Sequence, residues 1–218
     1  MDGLNKIIIV DDHVMFREGM RLLIETEGMG SVIAEAENGQ VFLKLLETHT
    51  PDLVLMDIEM PVMGGVEATT KARLLKPELK ILALTMLSEK ENYTSMINAG
   101  VMGFVLKTSG KHELEKAIKA VTGGENYFSS DILHKIISGT EKSQISSANT
   151  ISNIELTGRE LEILRCFCEG LTASEIAIRL FRSVKTIEIH RSKLLQKTNT
   201  KNTINMVLFA IKNKLVEI

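Results

Sequence analysis

Apolar residues in the first half of the chain fall into short runs separated by amphipathic stretches. The runs Lys6–Val10, Ser31–Ala36, Asp52–Met56, Lys80–Leu84 and Gly103–Leu106 are rich in Ile, Val and Leu, as strands buried on both faces require. Helical spacing fills the gaps, over His13–Glu27, Gln40–Thr48, Gly65–Leu75, Glu89–Asn98 and Lys111–Val121. In the first of these Val14, Phe16, Met20, Leu23 and Ile24 recur near the 3.6-residue period. Pro51, Pro61 and Pro77 all lie between elements, where a missing N–H costs no ladder bond. Strand–helix units joined by short connections predict an α/β domain. It is a doubly wound, five-stranded parallel sheet with helices on both faces, over residues 1–122.

The pattern then changes. Residues 123–150 read as a connection, with a short helix at Ser129–Ile137 and a polar, Ser/Thr-rich linker from Ser138 to Thr150. Beyond it no strand pattern survives. Thr157–Cys168, Ala173–Leu180, Val184–Lys197 and Thr203–Lys214 predict a small all-α unit over 151–218. Thr157 and Glu160 have capping-box spacing, Gly170 stands where a helix ends, and Ser183 is placed to cap the third helix.

Charge divides along the same line. Residues 1–122 carry 13 basic and 18 acidic side chains, whereas 150–218 carry 11 and 7. The second unit, at +4, is suited to meet a polyanion.

Three strands end on reactive side chains. Lys6–Val10 runs into Asp11-Asp12, Leu53–Met56 into Asp57, and Phe104–Leu106 into Lys107. A parallel sheet gathers its strand C-termini along one edge, so three carboxylates and an ammonium converge there. Clustered carboxylates repel one another and call for a cation. Oxygen ligands favour a hard dication, Mg²⁺ above all.

Residues 1–121 resemble a two-component receiver domain. The matching features are Asp11-Asp12, Asp57 in Leu-Met-Asp-Ile-Glu-Met-Pro, Thr85 after the fourth strand, and Phe104-Val-Leu-Lys107. The resemblance implies that Asp57 accepts a phosphoryl group. It implies that Asp11, Asp12, Asp57 and the carbonyl of Glu59 hold Mg²⁺, and that Lys107 and Thr85 contact the phosphoryl oxygens. Phe104 would rotate inward as Thr85 moves. Two positions depart from the family pattern: Gly64-Gly65 replaces Asp-Gly, and Thr108 follows Lys107 where many receivers have proline.

Leu156–Val216 resembles the LuxR-type helix-turn-helix of the NarL/FixJ response regulators. The match runs through Leu156–Leu164, Gly170–Ala177, Ser183, Thr186–His190 and Lys197. The resemblance places Ser183–Lys197 in the DNA major groove. Lys185, Glu188, Arg191 and Ser192 share one helix face, and Ile189 is suited to a thymine methyl. Lys185, Arg191, Lys193 and Lys197, with Arg182 and His190, are phosphate-contact candidates. Glu188 either accepts from cytosine or pairs with Arg191 at i+3. Thr198 and Asn202-Thr203 depart from the family's usual residues.

The remaining composition narrows the setting. Hydrophobic residues make up 44% of the 218 and charged residues 25%, which suits globular domains; aromatics at 4% and no Trp leave the core aliphatic. Cys166 and Cys168, at i,i+2 on a helix, cannot bridge and read as small buried hydrophobes. No apolar run reaches a membrane span, and the N-terminus has no basic and apolar leader, so a cytoplasmic location is expected.

The expectation is a DNA-binding transcriptional response regulator, not an enzyme. Its partners would be a cognate sensor histidine kinase, double-stranded DNA and a second copy when phosphorylated. The competing readings are a receiver whose helical tail binds protein, and a Mg²⁺-dependent phosphatase, for which no substrate domain is present.

Overall fold

The computed structural model describes residues 4–86, 90–129, 132 and 154–216. The linker Ser138–Thr150 lies outside the described residues, as do the expected helix at Ser129–Ile137, apart from Ser129 and Ile132, and the first residue of the helix expected at Glu89–Asn98. The chain divides into two compact units, Met1–Tyr127 and Phe128–Ile218.

The first unit contains β1 (Lys6–Val10), α1 (Val14–Thr26), β2 (Ser31–Ala36), α2 (Gly39–Thr48) and β3 (Leu53–Asp57). It continues with α3 (Gly65–Leu75), β4 (Ile81–Thr85), α4 (Lys90–Ala99), β5 (Gly103–Leu106) and α5 (Lys111–Thr122). The sheet order is β2-β1-β3-β4-β5-β6, and the four pairings from β2 to β5 are parallel. The order reverses beside β1, which opens a crevice between the C-terminal ends of β1 and β3. A two-residue β6 (Tyr127–Phe128) extends the sheet beyond the five strands expected. Two residues are too short to give a periodic signal, so nothing in the sequence announced it.

Residue by residue, the strands are buried because both sheet faces are covered. Ile7, Ile8 and Ile9 are all fully buried, as are Leu53 through Met56 and Ile81 through Leu84. Each buried aliphatic side chain stabilises by roughly 1.5–3 kcal/mol before entropy is counted. Alternate residues point to one face. Ile7, Ile9, Leu53, Leu55, Leu82, Leu84 and Val105 pack with Ile24 of α1 and Leu114, Ile118 and Val121 of α5. Two strands end one residue later than their apolar runs, so Asp57 and Thr85 close β3 and β4 from inside the ladder. Asp52 stays outside β3 and its carboxylate accepts from the Lys6 N–H at 2.7 Å.

The second unit contains α6 (Gly158–Cys168), α7 (Ala173–Arg179), α8 (Val184–Thr198) and α9 (Thr203–Lys212). Ile163, Leu164, Ile176, Ile187, Leu194, Met206 and Ala210 form its buried interior. Capping sets the boundaries. Thr157 and Glu160 form the expected capping box on α6. A second box, Thr172 with Glu175, starts α7 and was readable from the same Thr-x-x-Glu spacing. Ser183 and Asn202 cap α8 and α9 through their side chains. Gly170, at φ 85°, closes α6 in the left-handed conformation that a helix end needs.

Thr198 and Thr203, the departures from the family pattern, are both buried. The Thr198 hydroxyl donates to the Leu194 carbonyl at 2.8 Å, so a polar residue sits there without an unmet hydrogen bond. Cys166 and Cys168 are buried, and burial foremost pushes the Cys168 thiol up to about 12, which leaves it unreactive.

Candidate functional site

At the C-terminal edge of the sheet the structure brings together Asp11, Asp12, Asp57 and Lys107. One ligand atom from each of Asp11, Asp12, His13 and Asp57 lies within 4.8 Å of the others. Lys107 Nζ stands 2.7 Å from Asp57 Oδ2 and 2.7 Å from Asp11 Oδ2. The Asp57 contact is a directed hydrogen bond; Asp11 Oδ2 has ion-pair distance only and accepts no hydrogen bond. Lys107 reaches this position because β5 ends at Leu106 and the Lys107 N–H donates to the Thr85 carbonyl at 2.8 Å. The Lys107–Thr108 bond is trans, like every peptide among the described residues.

The two carboxylates that face Lys107 are also held by backbone. Asp57 Oδ1 accepts from the Ile58 N–H at 2.8 Å, and Asp11 Oδ1 from the His13 N–H at 2.8 Å. His13 is the N-cap residue of α1, and its Nδ1 lies 2.9 Å from Asp12 Oδ1. Burial raises the pKa of Asp57. The Lys107 hydrogen bond opposes that shift and the charge of Asp11 adds to it. Burial works against the Lys107 ammonium as well, but the two carboxylates outweigh it and raise its pKa. One buried ammonium thus serves two buried carboxylates, and Asp12 brings a third. Asp12 Oδ1 and Asp11 Oδ2 are buried oxygens that accept no directed hydrogen bond among the described residues; each has one nitrogen at ion-pair distance, His13 Nδ1 and Lys107 Nζ respectively. That donor set, oxygen-rich and short of positive charge, fits a hard dication.

Two residues that sequence reasoning missed frame the pit. Arg17 donates to the Asp11 carbonyl at 2.5 Å and to Glu35. Phe16 places its ring 5.0 Å from Lys107 Nζ, a cation–π contact. The remaining expected residues lie as follows. Thr85 is buried and its hydroxyl donates to the Met86 carbonyl at 3.1 Å. Phe104 already points inward, fully buried, with its ring edge-on to Tyr93 at 5.3 Å. The inward position expected of Phe104 is the one it holds in this structure. Glu59 lies two residues past Asp57 with an exposed side chain.

The loop after Asp57 is tightly closed. The Gly65 N–H donates to the Ile58 carbonyl at 2.9 Å. A Cβ at Gly65 would stand 2.1 Å from the Asp57 carbonyl oxygen, so no larger residue fits.

The second cluster of expected residues lies on α8. Arg182, Lys185, Ile189, Ser192 and Lys193 are exposed. Among the described residues none forms an ion pair with Arg182, Lys185 or Lys193. Arg191 differs: it donates to Glu188 at 2.8 Å and to the Thr203 hydroxyl at 3.2 Å, so it braces α8 against the start of α9. Lys197 differs further. Its ammonium donates to Glu160 Oε2 at 2.7 Å and to the Glu155 carbonyl at 2.9 Å. In this structure those contacts tie α8 to the capping box of α6. His190 is half-buried, with its Nδ1 buried and unpartnered.

The turn that leads into α8 carries an unusual residue. Phe181 adopts φ 52° and is 91% exposed. Its N–H donates to the Ile178 carbonyl and the Arg182 N–H to the Ala177 carbonyl, the bond pair that ends a helix through a left-handed residue.

Comparison with known proteins bears on both sites. Residues 7–119 match the response regulator receiver domain, and residues 155–210 match the bacterial regulatory proteins of the luxR family. The chain is 35% identical to the oxygen regulatory protein NreC of Staphylococcus epidermidis, over 97% of this chain and 99% of that one. It is 33% identical to the transcriptional regulatory protein DegU of Brevibacillus brevis, over 98% and 95%. Among solved structures, a LuxR-family two-component response regulator from Aurantimonas is 36% identical, covers 64% of this chain and 100% of its own, and superposes with a TM-score of 0.59. The RcsB response regulator of Salmonella typhimurium covers 98% of this chain and 100% of its own at 26% identity, with a TM-score of 0.55. With a receiver fold, an acidic strand-end cluster and a helix-turn-helix in one chain, this protein belongs to the two-component response regulators of the LuxR type, DNA-binding transcription regulators switched by aspartyl phosphorylation.

Proposed function

We propose that Asp57 is the phosphoacceptor and that its modification governs DNA binding by α8. The observation that carries this is the placing of Lys107 Nζ, 2.7 Å from both Asp57 Oδ2 and Asp11 Oδ2. Asp57 Oδ attacks the phosphorus of a donor. A phosphohistidine of a sensor histidine kinase would lose its P–N bond as the new O–P bond forms, and its ring nitrogen would leave with the bonding pair. Lys107 then faces a phosphoryl oxygen instead of a bare carboxylate, so its charge acts where negative charge accumulates.

Asp11, Asp12, Asp57 and the Glu59 carbonyl would hold Mg²⁺, which supplies charge neutralisation for an incoming phosphoryl group. Arg17 and the His13 N–H keep Asp11 oriented for that role. Thr85 would exchange its bond to the Met86 carbonyl for one to the phosphoryl group. The buried Tyr93–Phe104 pair beside β4 and β5 is the packing that responds.

Lys185 and Lys193, with Arg182 at the turn, would neutralise DNA phosphates, while Ser192 and Ile189 face base edges. Glu188 belongs to Arg191 and not to cytosine. Paired copies of the phosphorylated chain would read two half-sites. No helix among the described residues is long and apolar enough to cross a membrane, and the setting we infer is the cytoplasm. The phosphoryl chemistry serves signalling, so we do not read the chain as a turnover enzyme.

The test is phosphorylation with acetyl phosphate and Mg²⁺, followed by mass measurement and DNA binding by the full chain. One added phosphoryl group in the wild type and none in Asp57→Asn is expected. Labelling of Asp57→Asn would put the acceptor elsewhere.

A further inference from the structure

We propose that Phe181 is a DNA-contact residue, its ring packing on the deoxyribose face of the strand whose phosphates Arg182 and Lys185 neutralise. This rests on the reading above, in which α8 enters the major groove.

Two independent features make Phe181 a poor choice for the fold alone. Its backbone sits at φ 52°, where a Cβ crowds the following carbonyl and glycine is the favoured residue. The residue is 91% exposed, so burial recovers almost nothing. Gly170 ends α6 in the corresponding place with φ 85°, so the same device is made with glycine elsewhere in this unit. An aromatic that costs the fold on both counts is explained by what it touches outside the chain.

Charge and continuity identify the occupant. Ile178 is 77% and Val184 40% exposed, so apolar surface runs across the turn on both sides of Phe181. Arg182 and Lys185 are exposed beside it and no described residue pairs with either. A protein partner for such a ring would have to bring acidic groups around an apolar centre. The DNA backbone offers both features already, as anionic phosphates alternating with apolar sugar faces. Phe181 also lies two residues before the N-cap of the reading helix, so the ring stands at the margin of the groove. Side chains there meet backbone and not base edges. Sugar contact is insensitive to sequence and releases no counterion.

The test compares the full-length wild type with Phe181→Gly, Phe181→Leu and Lys185→Ala. Each is treated with Mg²⁺ and beryllium fluoride as the phosphoryl mimic, on a duplex selected from a random pool. Affinity is measured across a salt series, and thermal stability alongside. Phe181→Gly is expected to melt higher and to bind DNA about five- to tenfold more weakly with the same salt slope. Phe181→Leu is expected to fall between Phe181→Gly and the wild type in affinity. Lys185→Ala is expected to weaken binding with a shallower slope. Wild-type affinity in Phe181→Gly while Lys185→Ala is impaired would overturn the proposal and point to a protein on this surface. A lower melting temperature in Phe181→Gly would overturn it in favour of a folding role. No salt-dependent binding by the wild type would overturn the reading of α8, and this inference with it.

Discussion

The acidic pit and the basic helix are both clusters of like charge, yet they are built on opposite plans. In the pit, one ammonium pairs with two of three carboxylates, and two buried oxygens accept no directed hydrogen bond among the described residues. On and beside α8 the cations divide: Arg191 and Lys197 are engaged by Glu188, Thr203 and Glu160, while Arg182, Lys185 and Lys193 have no ion-pair partner among the described residues. The difference teaches that position on a charged face does not make a ligand contact. Charge left unmatched is available to a ligand, whereas Arg191 and Lys197 are already engaged in holding α8 against its neighbours.

The comparison breaks most sharply at Lys107. Removal of one partner from a buried ion cluster leaves the others uncompensated. Lys107→Ala is expected to lower stability by roughly 2–4 kcal/mol without divalent cation. Titration with Mg²⁺ during urea unfolding should recover part of the loss. If metal recovers nothing, the pit is not short of positive charge.

The next effect is at Lys197. Lys197→Met is expected to cost about 1–2 kcal/mol in the helical unit, since a charged hydrogen bond to a buried acceptor is lost at a partly exposed donor. Lys193→Ala should leave the melting temperature unchanged and weaken DNA binding with a reduced salt slope. The reverse assignment of effects would make Lys197 the phosphate contact and Lys193 the structural residue.

A third prediction concerns pH. Burial pushes the Glu160 carboxyl upward, but the Lys197 ammonium and the Thr157 donors outweigh it and hold it below the usual carboxylate range. A depressed folded pKa adds stability above the unfolded value, and that stability disappears as pH falls through the folded one. The helical unit should therefore lose stability on acidification below the ordinary Glu range. Lys197→Met should flatten this dependence in a melting series from neutral to acid.

The smallest effect is at Glu188. Its pair with Arg191 is partly exposed and on one helix, so Glu188→Gln is expected to change stability by only about 0.3–0.5 kcal/mol. DNA affinity should rise slightly as a negative charge leaves the groove-facing helix. A fall in affinity specific to one base pair would return Glu188 to cytosine readout.

Much of the pit was legible because strand ends are local signals. Apolar runs stop within a residue of Asp11, Asp57 and Lys107, and a parallel sheet then places them on one edge without any knowledge of side-chain contacts. Arg17 and Phe16 were not legible, since both merely continue the pattern of α1. The role of Phe16 depends on where β5 delivers Lys107, 91 positions away in the chain, and that of Arg17 on where β1 and β2 bring the Asp11 carbonyl and Glu35. The ion pair of Lys197 was not legible for a related reason: its partner Glu160, 37 residues earlier, was visible only as a cap. Helix period gives direction from the axis, not what stands in that direction.

The paired glycines after the pit carry a consequence for sequence drift. At Gly65 any side chain meets the Asp57 carbonyl, whereas at Gly64 a Cβ would meet only the Ile58 carbonyl at 3.3 Å, tight but relieved by a small shift. Gly64 has φ −75°, which any residue adopts, and it caps α3 without a side-chain bond. A library randomised at both codons should return glycine at 65 in nearly every functional clone. At 64 it should enrich Asp, Ser and Asn, residues that supply the absent cap. The two positions look identical in the sequence and stand at opposite extremes of mutational freedom.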